Sequence, residues 1–156
     1  MSKTRTEQNL HDAFAGESMA NRKYLYFAKV ARDLGDEEVA AVFEETAAQE
    51  TQHAFSHLSL IYPKENLTVT RVLELAIEGE RYEHTTMYPG FERKALEEAS
   101  HDAAREFAEQ AQESRDHDAI FTRTLELAQR KFRALTKIEK IHADRYQSIL
   151  DQRKGE

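Results

Sequence analysis

The sequence predicts an all-α protein, an antiparallel four-helix bundle, and three observations carry that prediction. Helix breakers are scarce, with 5 Gly and 2 Pro among 156 residues. Ala, Glu, Gln, Leu and Arg abound, a composition that goes with helices rather than strands. Apolar residues also recur at three- and four-residue steps over long stretches, the period of one buried helix face. A chain of this length is expected to make a single domain over 1–156 with a sizeable core.

The first helix is expected from about Thr6 to Leu34, with Leu10, Phe14, Glu17, Tyr24, Ala28 and Ala31 on one stripe. Gly35-Asp36 stops it and caps the second helix, whose acidic Glu37 and Glu38 suit a first turn. The second helix continues to about Tyr62 along Val39, Phe43, Thr46, Glu50 and His53, and Pro63 ends it. Lys64 to Leu67 crosses to a third helix with Thr68 as its N-cap. Val69, Leu73, Ala76, Glu80, Glu83 and Met87 share its face, and Pro89-Gly90 is expected to kink or break it. The fourth stripe is Phe132, Leu135, Glu139, His142, Tyr146 and Ile149.

Two internal repeats run through this plan. Ala15-Gly16-Glu17 resembles Glu78-Gly79-Glu80, 63 residues on. A helical Gly costs about 1 kcal/mol relative to Ala, so two of them before an inward Glu point to close backbone approach. Phe107, His117, Phe121 and Leu125 recur 25 residues later as Phe132, His142, Tyr146 and Leu150, an insertion-like repeat within about 107–131. Twenty-five residues is close to seven helical turns, so the repeat keeps its face. From His101 to Lys154 there is neither Gly nor Pro, which leaves the reversal of the far hairpin open.

Composition excludes several classes of function. The net charge of -7 argues against nucleic acid and anionic membrane surfaces as partners, though not against cations. No run approaches the roughly eighteen apolar residues of a membrane span. The start, MSKTRTEQNLHDAF, is basic without an apolar core and is not read as a signal peptide. With no Cys there are no disulfides, thiolate metal sites or Cys nucleophiles. Cytoplasmic residence is the expectation that follows.

The chemistry lies in what the stripes bury. Each carries Glu or His where a helix ordinarily carries Leu, and burying an unpaired carboxylate costs several kcal/mol. The stripes carry no inward Lys or Arg, and a metal pair neutralised by carboxylates is the simplest common cause. Glu50-x-x-His53 and Glu139-x-x-His142 each put a carboxylate and an imidazole one turn apart on one face. One such pair on each of two helices, with a Glu from each of the other two, describes a di-iron or di-manganese carboxylate site. Glu50 and Glu139 would bridge and Glu17 and Glu80 would be terminal, with one His per metal. Oxygen and imidazole donors suit two iron ions, with manganese or a mixed pair as the alternative. Glu83, one turn beyond Glu80, is a fifth carboxylate that can bind on oxidation and leave on reduction. His57 reads as a hydrogen-bonded or exposed His, and Glu106 and Glu109 read as a charged face despite their spacing.

FAGESMANRKYLYFA, ETAAQETQHA, EGERYEHTTMYPGF and KIEKIHADRY resemble the four motif helices of rubrerythrins, within the ferritin-like superfamily. The resemblance covers most of 5–92 and 130–150. It implies a di-iron peroxidase of oxidative-stress defence that reduces hydrogen peroxide to water, cycling between diferrous and diferric states. It assigns Glu17, Glu50, His53, Glu80, Glu83, Glu139 and His142 as ligands, and matches Tyr24 and Tyr88 to tyrosines that hold the redox-mobile carboxylate. A typical rubrerythrin also carries a rubredoxin domain with Cys-x-x-Cys pairs. This sequence has no Cys, so electrons are expected from a separate donor, such as a rubredoxin-like protein or a reductase. The alternative function is a ferroxidase or iron-handling protein that uses oxygen. A homodimer is expected, with exchanged helices as one way to build it.

The far hairpin admits two registers. A turn near Ser100 sets Glu83 level with His117 but puts Ser114 where a bridging carboxylate belongs. A turn near Ala111, with 113–118 as the reversal, sets Glu83 level with Glu139. Ser supplies no anionic oxygen at neutral pH, so the expectation is the second register, with Glu139 and His142 as ligands.

Overall fold

In the computed structural model, which describes residues 4–154, helix is the only regular structure. The first three residues of the basic amino-terminal stretch lie outside the described ones. The chain divides into two compact units, Met1–Leu67 and Thr68–Glu156. Each is built on an antiparallel helical hairpin, and together they supply the four helical rods of a ferritin-like, all-α chain.

The first unit pairs α1 (Arg5–Asp33) with α2 (Glu37–Ile61). A capping box opens α1: Thr4 Oγ1 accepts from the Glu7 N–H at 3.2 Å, and Glu7 Oε2 accepts from the Thr4 N–H at 2.6 Å. Gly35, at φ 86, takes the left-handed conformation that ends α1, and the Asp36 N–H donates back to the Ala31 carbonyl at 2.9 Å. Asp36 then caps α2 by accepting from the Val39 N–H at 3.0 Å. The core of the pair is small: Ala28, Ala31, Ala40, Ala47 and Ala54 are buried, so the backbones approach closely. Asn21 pins the helices with its side-chain amide, which donates to the Ala47 carbonyl at 2.7 Å and to Thr51 Oγ1 at 2.9 Å.

After a 3₁₀ turn at Lys64–Asn66, Thr68 caps α3 (Val69–Tyr82) as expected, accepting from the Arg71 N–H at 3.1 Å. Pro89 neither breaks nor stops this rod. A five-residue π turn, Glu83–Met87, comes first, and α4 (Tyr88–Glu97) carries the proline in its opening turn. There its missing N–H is least costly, and the wider turn relieves the clash of its ring with the preceding carbonyls.

The chain then reverses at Ala99-Ser100. Ala99 has φ 57, and the Ser100 N–H donates to the Ala95 carbonyl at 2.8 Å, a helix-ending pattern like that at Gly35. From there α5 runs unbroken from His101 to Lys154, 54 residues or about 80 Å. The expected reversal near Ala111 is therefore corrected. Residues 113–118 are polar but helical, because polarity alone does not interrupt a backbone of good helix formers. The repeat within 107–131 is a seven-turn extension of one helix rather than a second turn.

Close backbone approach at Gly16 and Gly79 is not found: a Cβ at either would meet nothing within 4 Å. Ala99, by contrast, is strained, since a left-handed residue with a Cβ costs roughly 1–2 kcal/mol. Ala99→Gly should stabilise the protein by about 0.5–1 kcal/mol after the extra unfolded-state entropy of Gly is charged against it. Chemical denaturation reads this as a higher midpoint with an unchanged slope.

Candidate metal centre

In the first unit Glu17 comes from α1, and Glu50 and His53 come from successive turns of α2. A ligand atom from each lies within 4.8 Å of the others, the only group of three or more such side chains among the described residues that could hold a metal ion. His53 Nδ1 stands 2.8 Å from Glu50 Oε2 and 3.9 Å from Glu17 Oε2. Both carboxylates are partly buried, and neither pairs with Lys or Arg among the described residues. Tyr24 stacks in the aromatic cluster of this unit, its ring 5.9 Å from Phe43.

The second unit repeats the arrangement with two changes. Gly35 and Ala99, the two hairpin turns, are 64 residues apart, and the same step carries Glu50 to Ser114 and His53 to His117. Glu80 is the counterpart of Glu17. His117 Nδ1 stands 3.5 Å from Glu80 Oε2, as His53 does near Glu17. The carboxylate of Glu50 has no counterpart: Ser114, only 4% exposed, occupies its place and donates its hydroxyl to Glu83 Oε2 at 2.9 Å. Glu83 itself has no equivalent in the first unit, where Ala20 takes that position.

Glu139 and His142 lie about 37 Å further along α5 than Ser114 and His117, and both are exposed. The expected level pairing of Glu83 with Glu139 does not form within this chain. Of the two registers that the sequence allows, the later Glu-x-x-His is the one expected, whereas here it is His117, at the ungapped spacing from Glu80, that stands beside that carboxylate.

Tyr88 packs at the start of α4 against Phe91 and Phe107, with ring centroids 6.4 Å away in each case. Burial raises its hydroxyl above the ordinary tyrosine value, and the negative charge of Glu83 adds to the shift.

The donor chemistry of both units fits a cation. Glu80 Oε2 is buried and, although His117 Nδ1 is 3.5 Å away, accepts no hydrogen bond from the described residues. A buried acceptor left in that state costs about 1–3 kcal/mol or more, and a metal ion beside it removes the penalty. Carboxylate and imidazole donors without thiolates are the set for iron or manganese. Glu17, Glu50 and His53 would hold metal in the first unit, and Glu80, Glu83 and His117 in the second.

A sequence profile of the Rubrerythrin family matches residues 8–125. The chain belongs to the rubrerythrin family. It is 34% identical over 149 residues to a rubrerythrin of Porphyromonas gingivalis, covering 80% of this chain and 74% of that one. It is 37% identical over 129 residues to a rubrerythrin of Nitratidesulfovibrio vulgaris, covering 76% and 68%. A nigerythrin of the same organism is 38% identical over 114 residues, covering 65% of this chain and 56% of that one. Among solved structures, fully reduced nigerythrin shares 33% identity and covers 81% of this chain and 68% of its own, with a TM-score of 0.40. Membership places the chain among ferritin-like di-iron oxidoreductases. The matched span includes Ser114 and His117 and stops short of Glu139 and His142. No helix among the described residues is long and apolar enough to cross a membrane.

Proposed function

We propose that the chain is a di-iron peroxidase of the cytoplasm that reduces hydrogen peroxide to water with electrons from a separate donor. The observation that carries this reading is the Glu17/Glu50/His53 donor set on the first hairpin of a rubrerythrin-family chain, with Glu80 beside His117 and Glu83 nearby on the second. Two ferrous ions held by these carboxylates and imidazoles would supply the two electrons needed to cleave a peroxide O–O bond.

The chain's own residues hold and orient. Glu17 and Glu50 provide anionic oxygen, and His53 and His117 provide one imidazole per metal. Glu83 is the carboxylate free to change partners, and its resting position is set by the Ser114 hydroxyl. Tyr88 stands close enough for the Glu83 charge to act on its hydroxyl, which supports a role in holding that carboxylate. Electrons come from a separate donor, such as a rubredoxin-like protein or a reductase.

The test is anaerobic loading with ferrous iron, then stoichiometric peroxide or oxygen with optical detection. Two irons per chain oxidised much faster by peroxide support the peroxidase. Faster oxidation by oxygen with continued iron uptake selects a ferroxidase instead.

One point favours a homodimer with exchanged helices. Phe132, Leu135, Tyr146 and Ile149 are all exposed along the stripe that carries Glu139 and His142. In such a dimer Glu139 and His142 would donate to a second copy. Paired variants separate the registers: His117→Ala should lower bound metal, and His142→Ala should not in an unexchanged chain. Loss of metal in His142→Ala alone would return the ligand role to the later motif.

A further inference from the structure

One polar cluster beside the proposed metal centre is not used by that reading. Asp118 is 13% exposed at its side chain and receives four hydrogen bonds. Arg81 grips it bidentately, Nε to Oδ2 at 3.2 Å and Nη2 to Oδ1 at 3.1 Å. His84, equally enclosed, reaches Oδ2 through Nε2 at 3.1 Å, and the Thr122 hydroxyl donates to Oδ1 at 3.1 Å.

The placement of these partners is the informative part. Arg81 and His84 bracket Glu83, one on the last turn of α3 and the other inside the π turn. Asp118 follows His117 directly and lies one helical turn beyond Ser114, the residue that holds Glu83. The cluster therefore ties the segment carrying Glu83 to the segment of α5 carrying the groups that meet it. π turns recur at functional sites, where the extra residue in the turn re-aims a side chain. A bidentate Arg–carboxylate pair fixes orientation as well as distance. Burial by itself would raise the Asp118 carboxyl. Hydrogen bonds from His84, Arg81 and Thr122, with the charge of Arg81, outweigh it and hold the carboxyl below its ordinary value.

We infer that Asp118 is a positioning residue: through Arg81 and His84 it fixes the π turn against α5 and so sets where the Glu83 carboxylate stands. It touches neither metal nor peroxide, and the inference rests on the metal-centre reading above. Partners of this kind, one contact removed from a ligand, change metal affinity by about 10–100-fold when lost.

The test is a double-mutant cycle on the full chain, read by cobaltous ion titration with its visible absorption bands. Asp118→Asn should weaken cobalt binding by about tenfold and shift the bands, with helix content unchanged. In a Glu83→Gln background the same change should have little further effect, because the donor being positioned has already been altered. Arg81→Gln, at the exposed end of the cluster, should show the same pattern at smaller size and serves if Asp118→Asn folds poorly. Equal weakening in both backgrounds would mean that Asp118 only braces the fold, and no weakening would mean that it sets nothing; either overturns the inference. A parent chain that binds no cobalt overturns the metal-centre reading and this inference with it, which separates the two failures.

Discussion

Ser114→Glu should bind ferrous or cobaltous ion more tightly than the parent chain and lose stability without metal. Ser114 stands at the position that Glu50 holds in the other hairpin, one turn before His117 and within hydrogen-bond reach of Glu83. A carboxylate there adds an anionic donor to Glu80, Glu83 and His117. The gain in affinity should be at least as large as the roughly 10–100-fold that the loss of a single supporting partner costs at metal sites. Without metal, three neighbouring carboxylates resist joint ionisation, and the apo protein should lose on the order of 1–3 kcal/mol, the size of an ordinary destabilising substitution. Thermal melting with and without cobalt reads both effects at once: a lower apo midpoint and a larger metal-induced rise than the parent shows. An unchanged affinity would mean that residue 114 does not face the bound ion.

Glu50→Ala should have the opposite effect on the other donor set. Glu50 Oε2 is the group's nearest partner to His53, at 2.8 Å, and removing it leaves Glu17 and one imidazole. Bound metal should fall well below two per chain while the helical signal in circular dichroism is retained, because Ala is a better helix former than Glu. Two tightly bound ions in the purified variant would contradict a bridging role for Glu50. The parent's metal affinity should itself decline as pH falls into the carboxylate range, since each ligand must lose its proton to bind.

Much of this molecule is legible along the chain, and for a local reason. Gly35-Asp36, Pro63 and Thr68 announce their caps and turns by chemistry that acts within a few residues. The helical period likewise shows Glu17, Glu50, His53, Glu80 and Glu83 on their stripes without knowledge of any partner helix. The second hairpin has no such marker. Its left-handed cap residue is Ala99 rather than Gly, and nothing between His101 and Lys154 discourages a helix. Two candidate Glu/Ser-x-x-His pairs, 25 residues apart, then present the same face.

What the sequence determined by itself is the donor types, the first hairpin and the all-α class, because each follows from residue chemistry and a helical period that acts within a few turns. What only the tertiary structure decided is register. The backbone closes the second hairpin at Ser100, through its bond to the Ala95 carbonyl, and that choice brings His117 and Ser114 to Glu80 and Glu83. The Arg81–Asp118–His84 cluster is of the same kind, since it joins residues 34 and 37 positions apart. Helical periodicity shows which face a residue is on, but its level against a neighbouring helix depends on where the chain turns, and here the turn rests on one strained alanine.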